Sequence, residues 1–355
     1  MDFFNKETKT ALQAKEAALA LAFAPIAFQA TRALRDMGIL QAVSDSRSNG
    51  ITIEEILEKV TLSRYAVRVL LEAGLGMDLV IVNDKKYTLT KTGYFILHDQ
   101  LTRINMDFTQ DICYKGMYHL QESLREGKPA GLKELGPWDT IYPGLPLLSP
   151  EVGKSWFDFD HYYSDLAFPQ ALPIVFENKP RKLLDIGGNT GKWTLACTAY
   201  DPEVQVTLFD LPGEIALAQQ KMVEAGVSDR VSFHTANILD ESLPFPKDFD
   251  AIWMSQFLDC FSEAEIVSIL KRCREALTAN GTIYILEPFW NRQVFKSAAF
   301  CLQQTSLYFT AMANGNSQMY HTDDFFKCIQ DAGLQIVAEN DQMGLSYTLL
   351  KCKKA

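Results

Sequence analysis

The first hundred residues carry apolar positions at helical spacing. They recur through Ala30 to Val43, Ile53 to Val60 and Ser63 to Leu75. Thr52 and Thr61 or Ser63 stand where N-caps belong, and Thr52-Ile-Glu-Glu55 has the form of a capping box. The run Leu79 to Leu89 then reads as two short strands joined by the polar turn Asn83 to Lys86. Three helices followed by a hairpin predict a mainly α winged-helix domain over residues 1–105.

Past Arg103 the pattern changes. Residues up to Glu177 read as helix and loop, with an irregular excursion in the Pro- and Gly-rich stretch Gly136 to Pro150. A regular alternation follows. Strands are expected at Lys182 to Ile186, Gln205 to Phe209, Val231 to Thr235, Asp250 to Met254 and Thr282 to Leu286. Helices fall at Lys192 to Tyr200, Gly213 to Ala225 and Glu263 to Leu277, with a long helical stretch ending near Ala313. Helix Thr322 to Ala332 and strands Leu334 to Ala338 and Tyr347 to Lys351 close the chain. Apolar strands alternating with helices predict an α/β fold, a mainly parallel sheet covered on both faces. This second domain would take residues 106–355, with a helical lead-in over 106–180, and its ligand would sit at the carboxyl ends of the strands.

Composition narrows the function. At 355 residues and 47% hydrophobic the chain can bury two cores, and its net charge of −10 repels phosphate backbones. A winged helix raises the question of DNA. Yet between Asp45 and Asp99 the basic residues are matched by acids, and the would-be recognition helix carries Val67, Val69, Leu70 and Leu71, so no nucleic-acid partner is expected. Seven scattered cysteines without a Cys-x-x-Cys pair argue against disulfides and zinc and fit a reducing cytoplasm. The apolar run Ala17 to Ala30 lacks a basic flank for a signal and is too short to span a bilayer. It reads as a helix buried all round, against another subunit, with no membrane partner.

The chemistry concentrates in Arg181-Lys-Leu-Leu-Asp-Ile-Gly-Gly-Asn-Thr-Gly191, a strand running into a glycine turn and a helix. Backbone N–H groups and the positive helix end would surround a small cavity there, and Asp210, about 20 residues on, would accept hydrogen bonds from both ribose hydroxyls of a nucleotide-like ligand. A dinucleotide fingerprint wants glycines at the first, third and sixth places, which hold Gly187, Asn189 and Lys192. NAD is therefore disfavoured. A ligand without pyrophosphate suits the turn better, and S-adenosylmethionine (SAM) is such a ligand.

Leu184-Asp-Ile-Gly-Gly-Asn-Thr-Gly191, Phe209-Asp-Leu-Pro212, Ala236-Asn-Ile-Leu239 and Ser255-Gln-Phe-Leu-Asp-Cys-Phe-Ser-Glu263 together resemble a known family. It is that of the small-molecule O-methyltransferases that join an N-terminal winged-helix dimerisation domain to a class I SAM-binding, Rossmann-like domain. Plant caffeate and flavonoid enzymes, hydroxyindole O-methyltransferase and bacterial polyketide tailoring enzymes are of this kind. The resemblance covers nearly the whole chain. It implies a homodimer formed through the N-terminal domain, SAM as cofactor with S-adenosylhomocysteine (SAH) as product, no metal, and a small, aromatic or polyketide-like acceptor. By the same resemblance Gly187, Gly188 and Gly191 would approach the methionine portion of SAM, Asp210 would bind the ribose, and Leu211 counts among the cofactor-binding residues. Asn237 and Ile238 would flank the adenine, where the family pattern has Asp and Met; Asn keeps an acceptor oxygen for the adenine amino group. Ser255 stands where many members have Lys.

The catalytic segment departs from the family. Members carry a His-Asp pair whose His removes the acceptor proton, whereas this chain has Asp259-Cys260. A carboxylate near its ordinary pKa of about 3.9 is a weak base for a phenol near 10, so burial would have to raise it. Glu287 matches the auxiliary acid of the family, and two acids close together would raise one pKa. Three readings stand: Asp259 as the base; His161, from Trp156-Phe-Asp-Phe-Asp-His-Tyr-Tyr163, which aligns with the segment lining the methyl group; or no base, including a relative that has lost methyl transfer and decarboxylates or hydroxylates instead. A SAM-sensing winged-helix regulator is the remaining rival. Phe289, Trp290, Phe300, Tyr308 and Phe309 are candidates to wall an apolar acceptor pocket. His321-Thr-Asp-Asp324 looks like a metal cluster but reads better as a helix start capped by Thr322.

Overall fold

The computed structural model describes residues 3–355, and the chain divides into two compact units, one ending at Thr109 and the other running from Gln110 to Ala355. The N-terminal unit is built from helices α1 (Ala11–Asp36), α2 (Ile39–Asp45), α3 (Ile53–Leu57) and α4 (Arg64–Gly76), the hairpin β1 (Val80–Asn83) and β2 (Lys86–Leu89), and helices α5 (Lys91–His98) and α6 (Gln100–Phe108). Thr52 and Glu55 form the expected capping box, and Ser63 caps α4 by accepting from the Ala66 N–H at 3.1 Å. The hairpin turns through Asp84 and Lys85, both at positive φ, as a two-residue turn matched to strand twist requires. Leu34, Leu40, Val43, Ile56, Val67, Leu71 and Val80 form its core.

Two expectations are corrected here. The apolar pattern over Ala30 to Val43 is not one helix, because Gly38 at φ +79° breaks it between α1 and α2. The run Ala17 to Ala30 is the middle of a 26-residue helix, long and apolar enough by length and composition to cross a membrane, so shortness is no argument against a span. Nor is it buried within the chain. Thr31 and Leu34 are the buried residues of α1, while Leu12, Leu19, Leu21, Phe23 and Ile26 are exposed.

The C-terminal unit begins with α7 (Leu120–Glu126), α8 (Pro150–Ser164) and α9 (Phe168–Val175). It then alternates through β3 (Lys182–Ile186), α10 (Lys192–Tyr200), β4 (Gln205–Asp210), α11 (Pro212–Glu224), β5 (Val231–Thr235), β6 (Phe249–Ser255), α12 (Glu263–Ala276) and β7 (Leu277–Glu287). Helices α13 (Lys296–Tyr308) and α14 (Thr322–Asp331) precede β8 (Leu334–Met343) and β9 (Tyr347–Lys354). The seven strands are ordered β5-β4-β3-β6-β7-β9-β8, parallel from β5 to β7, with β9 antiparallel to both its neighbours. Both faces are covered by core. Ile252, Met254, Ile285 and Ile269 lie in one cluster, and Leu183, Trp253, Tyr284 and Trp193 in another. From β3 the chain builds outward to β5 and then returns to place β6 on the other side of β3. The sheet therefore has its switch point between β3 and β6, and a crevice opens there at the carboxyl ends of the strands.

Candidate active site

At the tip of β3 the backbone must turn without side chains. Gly187 has φ +69°, and a Cβ there would lie 2.2 Å from the Phe257 ring. Gly191 has φ +79° and opens α10; its Cβ would meet the Met222 methyl at 2.5 Å. The turn is pinned to the next strand, because the Gly187 N–H donates to the Phe209 carbonyl at 2.9 Å and the Asn189 N–H donates to Asp210 Oδ2 at 2.8 Å. Asp210 Oδ1 accepts from the Leu211 N–H at 2.7 Å. Each carboxylate oxygen thus takes one backbone donor and keeps lone pairs for a diol. Burial raises the Asp210 carboxyl, and these two N–H groups work against that. Around the same turn Asn189 Oδ1, Thr190 Oγ1 and both carboxylate oxygens of Glu214 are buried without a hydrogen-bond partner. Unmet acceptors beside a side-chain-free turn suit a polar nucleoside with a charged tail.

Further along the strand tips, Ile238 is buried and Asn237 is exposed. Asn237 Oδ1 accepts from the Leu239 N–H at 3.0 Å, so the oxygen expected to meet an adenine already closes a local turn, leaving one lone pair for that task. The Ser255 hydroxyl at the end of β6 is buried and without a partner.

Beyond β6 the chain makes a tight bend with Gln256 at φ +47° and then the turn Leu258–Cys260. Asp259 is 2% exposed; its Oδ1 accepts from the Cys260 thiol at 3.5 Å and its Oδ2 has no partner. Glu287, the last residue of β7, is equally buried. Its Oε1 accepts from the N–H groups of Phe257 at 3.0 Å and Leu258 at 2.8 Å, while Oε2 has no partner. Glu287 therefore holds the backbone of the segment that carries Asp259. The same segment is tied from the other side, where Asn314 Nδ2 donates to the Cys260 carbonyl at 2.6 Å and the Tyr320 hydroxyl donates to the Phe261 carbonyl at 2.6 Å.

Burial pushes the Asp259 carboxyl up to about 7. Glu287 is raised well above the carboxylate range, first by burial and then by the charge of Asp259. The like-charge repulsion expected from the sequence is mutual, and together with burial it makes the pair hold a proton above the ordinary carboxylate range.

His161 lies on α8, half-buried and stacked on Phe157 at 6.0 Å. Its Nδ1 is 3.9 Å from Asp160 Oδ2 and 3.8 Å from Asp165 Oδ1. Desolvation first, then the positive charge of Lys192, lowers it to about 4, so its ring is neutral and weakly basic near pH 7.

Of the aromatic candidates, Phe289, Tyr308 and Phe309 are buried, Tyr308 accepting from Trp156 Nε1 at 2.9 Å, whereas Phe300 is 55% exposed. The helix cap expected at Thr322 is instead His321, whose Nδ1 accepts from the Asp323 N–H at 3.1 Å. Among the described residues no group of three or more His, Cys, Asp or Glu side chains could hold a metal ion.

Sequence reasoning missed a polar relay across the strand tips. The Tyr347 hydroxyl donates to Gln256 Oε1, Gln256 Nε2 donates to Asp160 Oδ1 at 2.9 Å, and Asn189 Nδ2 donates to Asp160 Oδ2 at 3.4 Å. The relay joins β9, the bend after β6, α8 and the glycine turn. Its only trace in the sequence is an acid inside the aromatic segment Trp156 to Tyr163.

With this geometry in place, the likeness to known proteins is specific. Residues 161–335 match the O-methyltransferase domain and residues 15–87 match the Dimerisation2-like domain. The L-tyrosine C(3)-methyltransferase of Streptomyces lavendulae is 23% identical over 88% of this chain and 84% of its own length. The apo structure of the S-adenosylmethionine-dependent methyltransferase SibL superposes with a TM-score of 0.70 at 22% identity, covering 95% of this chain and 98% of SibL. The O-methyltransferase NcsB1 from neocarzinostatin biosynthesis, solved with S-adenosylmethionine and 2-hydroxy-5-methyl naphthoic acid, superposes with a TM-score of 0.67 at 17% identity over 92% of this chain and 96% of NcsB1.

Proposed function

The chain belongs to the family of SAM-dependent O-methyltransferases with an N-terminal dimerisation-like domain, and from that premise we propose that it methylates a hydroxyl of a small aromatic or polyketide-like acceptor. The observation that carries this reading is the buried Asp259, with an unpartnered oxygen and a carboxyl raised to about 7, at the place where the family keeps its base.

When bound, SAM supplies a methyl group already activated on a positively charged sulfur. The protein's work is to position the acceptor and take its proton. Asp259 Oδ2 would accept the hydroxyl proton and leave the acceptor oxygen as an anionic nucleophile. Glu287 acts as a positioning residue, fixing through the Phe257 and Leu258 amides the loop on which Asp259 stands. Gly187, Gly188 and Gly191 would give the cofactor close approach, Asp210 would hold the ribose, and Leu211, Asn237, Ile238 and Ser255 would border the rest of the cofactor. His161 is a weak base in this arrangement, and its place on α8 suits lining rather than proton transfer.

The named relatives point to the same kind of acceptor. One acts on L-tyrosine and another was solved with a hydroxylated naphthoic acid, and both molecules carry a phenol. The exposed apolar face of α1 within the dimerisation-like domain supports a homodimer, and the free cysteines support a cytoplasmic location.

Incubation with SAM labelled on its methyl group and a panel of phenols tests the reading, with NMR locating the label. Label on an acceptor oxygen is expected. Label on ring carbon alone, or none on any phenol with protein shown to bind SAH, overturns it.

A further inference from the structure

Asn237 and Ile238, which would flank the adenine, stand in the irregular segment between β5 and β6, outside any strand or helix. One peptide unit decides how the Asn237 amide points. The Leu239 N–H donates to Asn237 Oδ1 at 3.0 Å, and the carbonyl of that same peptide belongs to Ile238. A peptide is planar and trans, so its C=O and N–H point in opposite directions and whatever holds the carbonyl also aims the N–H. That carbonyl is held by Arg272 of α12, whose Nη1 donates to it at 2.5 Å.

Arg272 grips the rest of the segment with the same fork. Its Nη2 donates to the carbonyls of Asp240 and Leu243, each at 3.5 Å, and its guanidinium lies over the Phe245 ring, 4.8 Å from the centroid. Phe245 packs on Phe209 with ring centroids 5.4 Å apart, and Phe209 directly precedes Asp210. The segment is thereby tied both to α12 and to the strand that carries the ribose acid. Ser268, one turn earlier on α12, donates to Glu241 Oε1 and holds the segment at a second point. A planar guanidinium can serve several carbonyls and an aromatic face together, which a lysine ammonium on its flexible stem cannot.

We propose that Arg272 is a positioning residue for recognition of the cofactor's base: through the Ile238–Leu239 peptide it turns Asn237 Oδ1 toward the adenine amino group. This rests on Asn237 and Ile238 flanking the adenine. The test is calorimetry on the full chain with SAH and with S-inosylhomocysteine, which carries an oxo group where SAH has the amino group. An oxo group facing Asn237 Oδ1 sets acceptor against acceptor, so the unaltered protein should prefer SAH by about tenfold or more. In Arg272→Ala the Kd for SAH should rise about tenfold while that for the inosine analogue stays within about threefold, so the preference is nearly lost. Arg272→Lys should keep part of it, and it carries the test if circular dichroism finds Arg272→Ala unfolded. A preference unchanged in a folded variant, whether both ligands weaken together or neither does, overturns the inference. If the unaltered protein binds both ligands alike, Asn237 does not read the base and the inference falls with that assignment; if it binds neither, the cofactor reading fails first.

Discussion

Replacing Asp259 by Asn removes the proton acceptor while keeping size and burial. The magnitude follows from the site. Moving a proton from a phenol near 10 to an ordinary carboxylate at 3.9 is uphill by about 8 kcal/mol. With Asp259 at about 7 the gap shrinks to about 4 kcal/mol, which places the transfer within reach of an enzyme turning over on the scale of seconds. An amide at this position cannot take the proton, and loss of a positioned general base costs roughly 10² to 10⁴ in rate. The expected outcome is therefore a fall in kcat of at least about 10², with SAH affinity by calorimetry almost unchanged. The pH dependence adds an independent check. Asp259 must be ionised to act, so kcat/KM of the unaltered enzyme should rise as pH increases through about 7 and then level off, and that inflection should vanish in the variant. Turnover within threefold of the unaltered enzyme, or an inflection below about pH 5, would refute the role.

Other perturbations separate positioning from chemistry. Glu287→Ala leaves the buried Leu258 N–H and the partly buried Phe257 N–H without an acceptor and should cost roughly 3 kcal/mol in urea unfolding. Glu287→Gln keeps an acceptor oxygen and should restore most of that stability, and equal losses in the two variants would count against the amide-holding role. Asp210→Ala should weaken SAH binding by roughly 10- to 100-fold, the worth of one or two hydrogen bonds to a charged group, and an unchanged Kd would remove Asp210 from the ribose site. Leu21→Glu combined with Ile26→Glu, at positions 73% and 67% exposed in the single chain, should halve the mass seen by light scattering; a mass that stays at the dimer value would place the interface elsewhere.

The sequence by itself determined the parts whose causes are local. Helix caps at Thr52 and Ser63, the hairpin turn and the alternation of apolar strands with helices all follow from propensity and period, and β3, α10 and β5 fall where the pattern puts them. The glycine turn and Asp210 were legible because a strand-turn-helix unit brings together residues about twenty apart in a fixed way. Boundaries that hinge on a single backbone angle were less so, as Gly38 and the His321 cap show.

Only the tertiary structure decided the electrostatics. Asp259 and Glu287 are 28 residues apart by their numbering, and which of the two keeps a proton depends on the amides that each carboxylate meets and on how deeply the core buries it. Gln256 joins Asp160 and Tyr347 across 96 and 91 residues, and no sequence period encodes a hydrogen bond of that separation. Charge and desolvation are sums over everything nearby, and what is nearby is fixed by packing rather than by order along the chain.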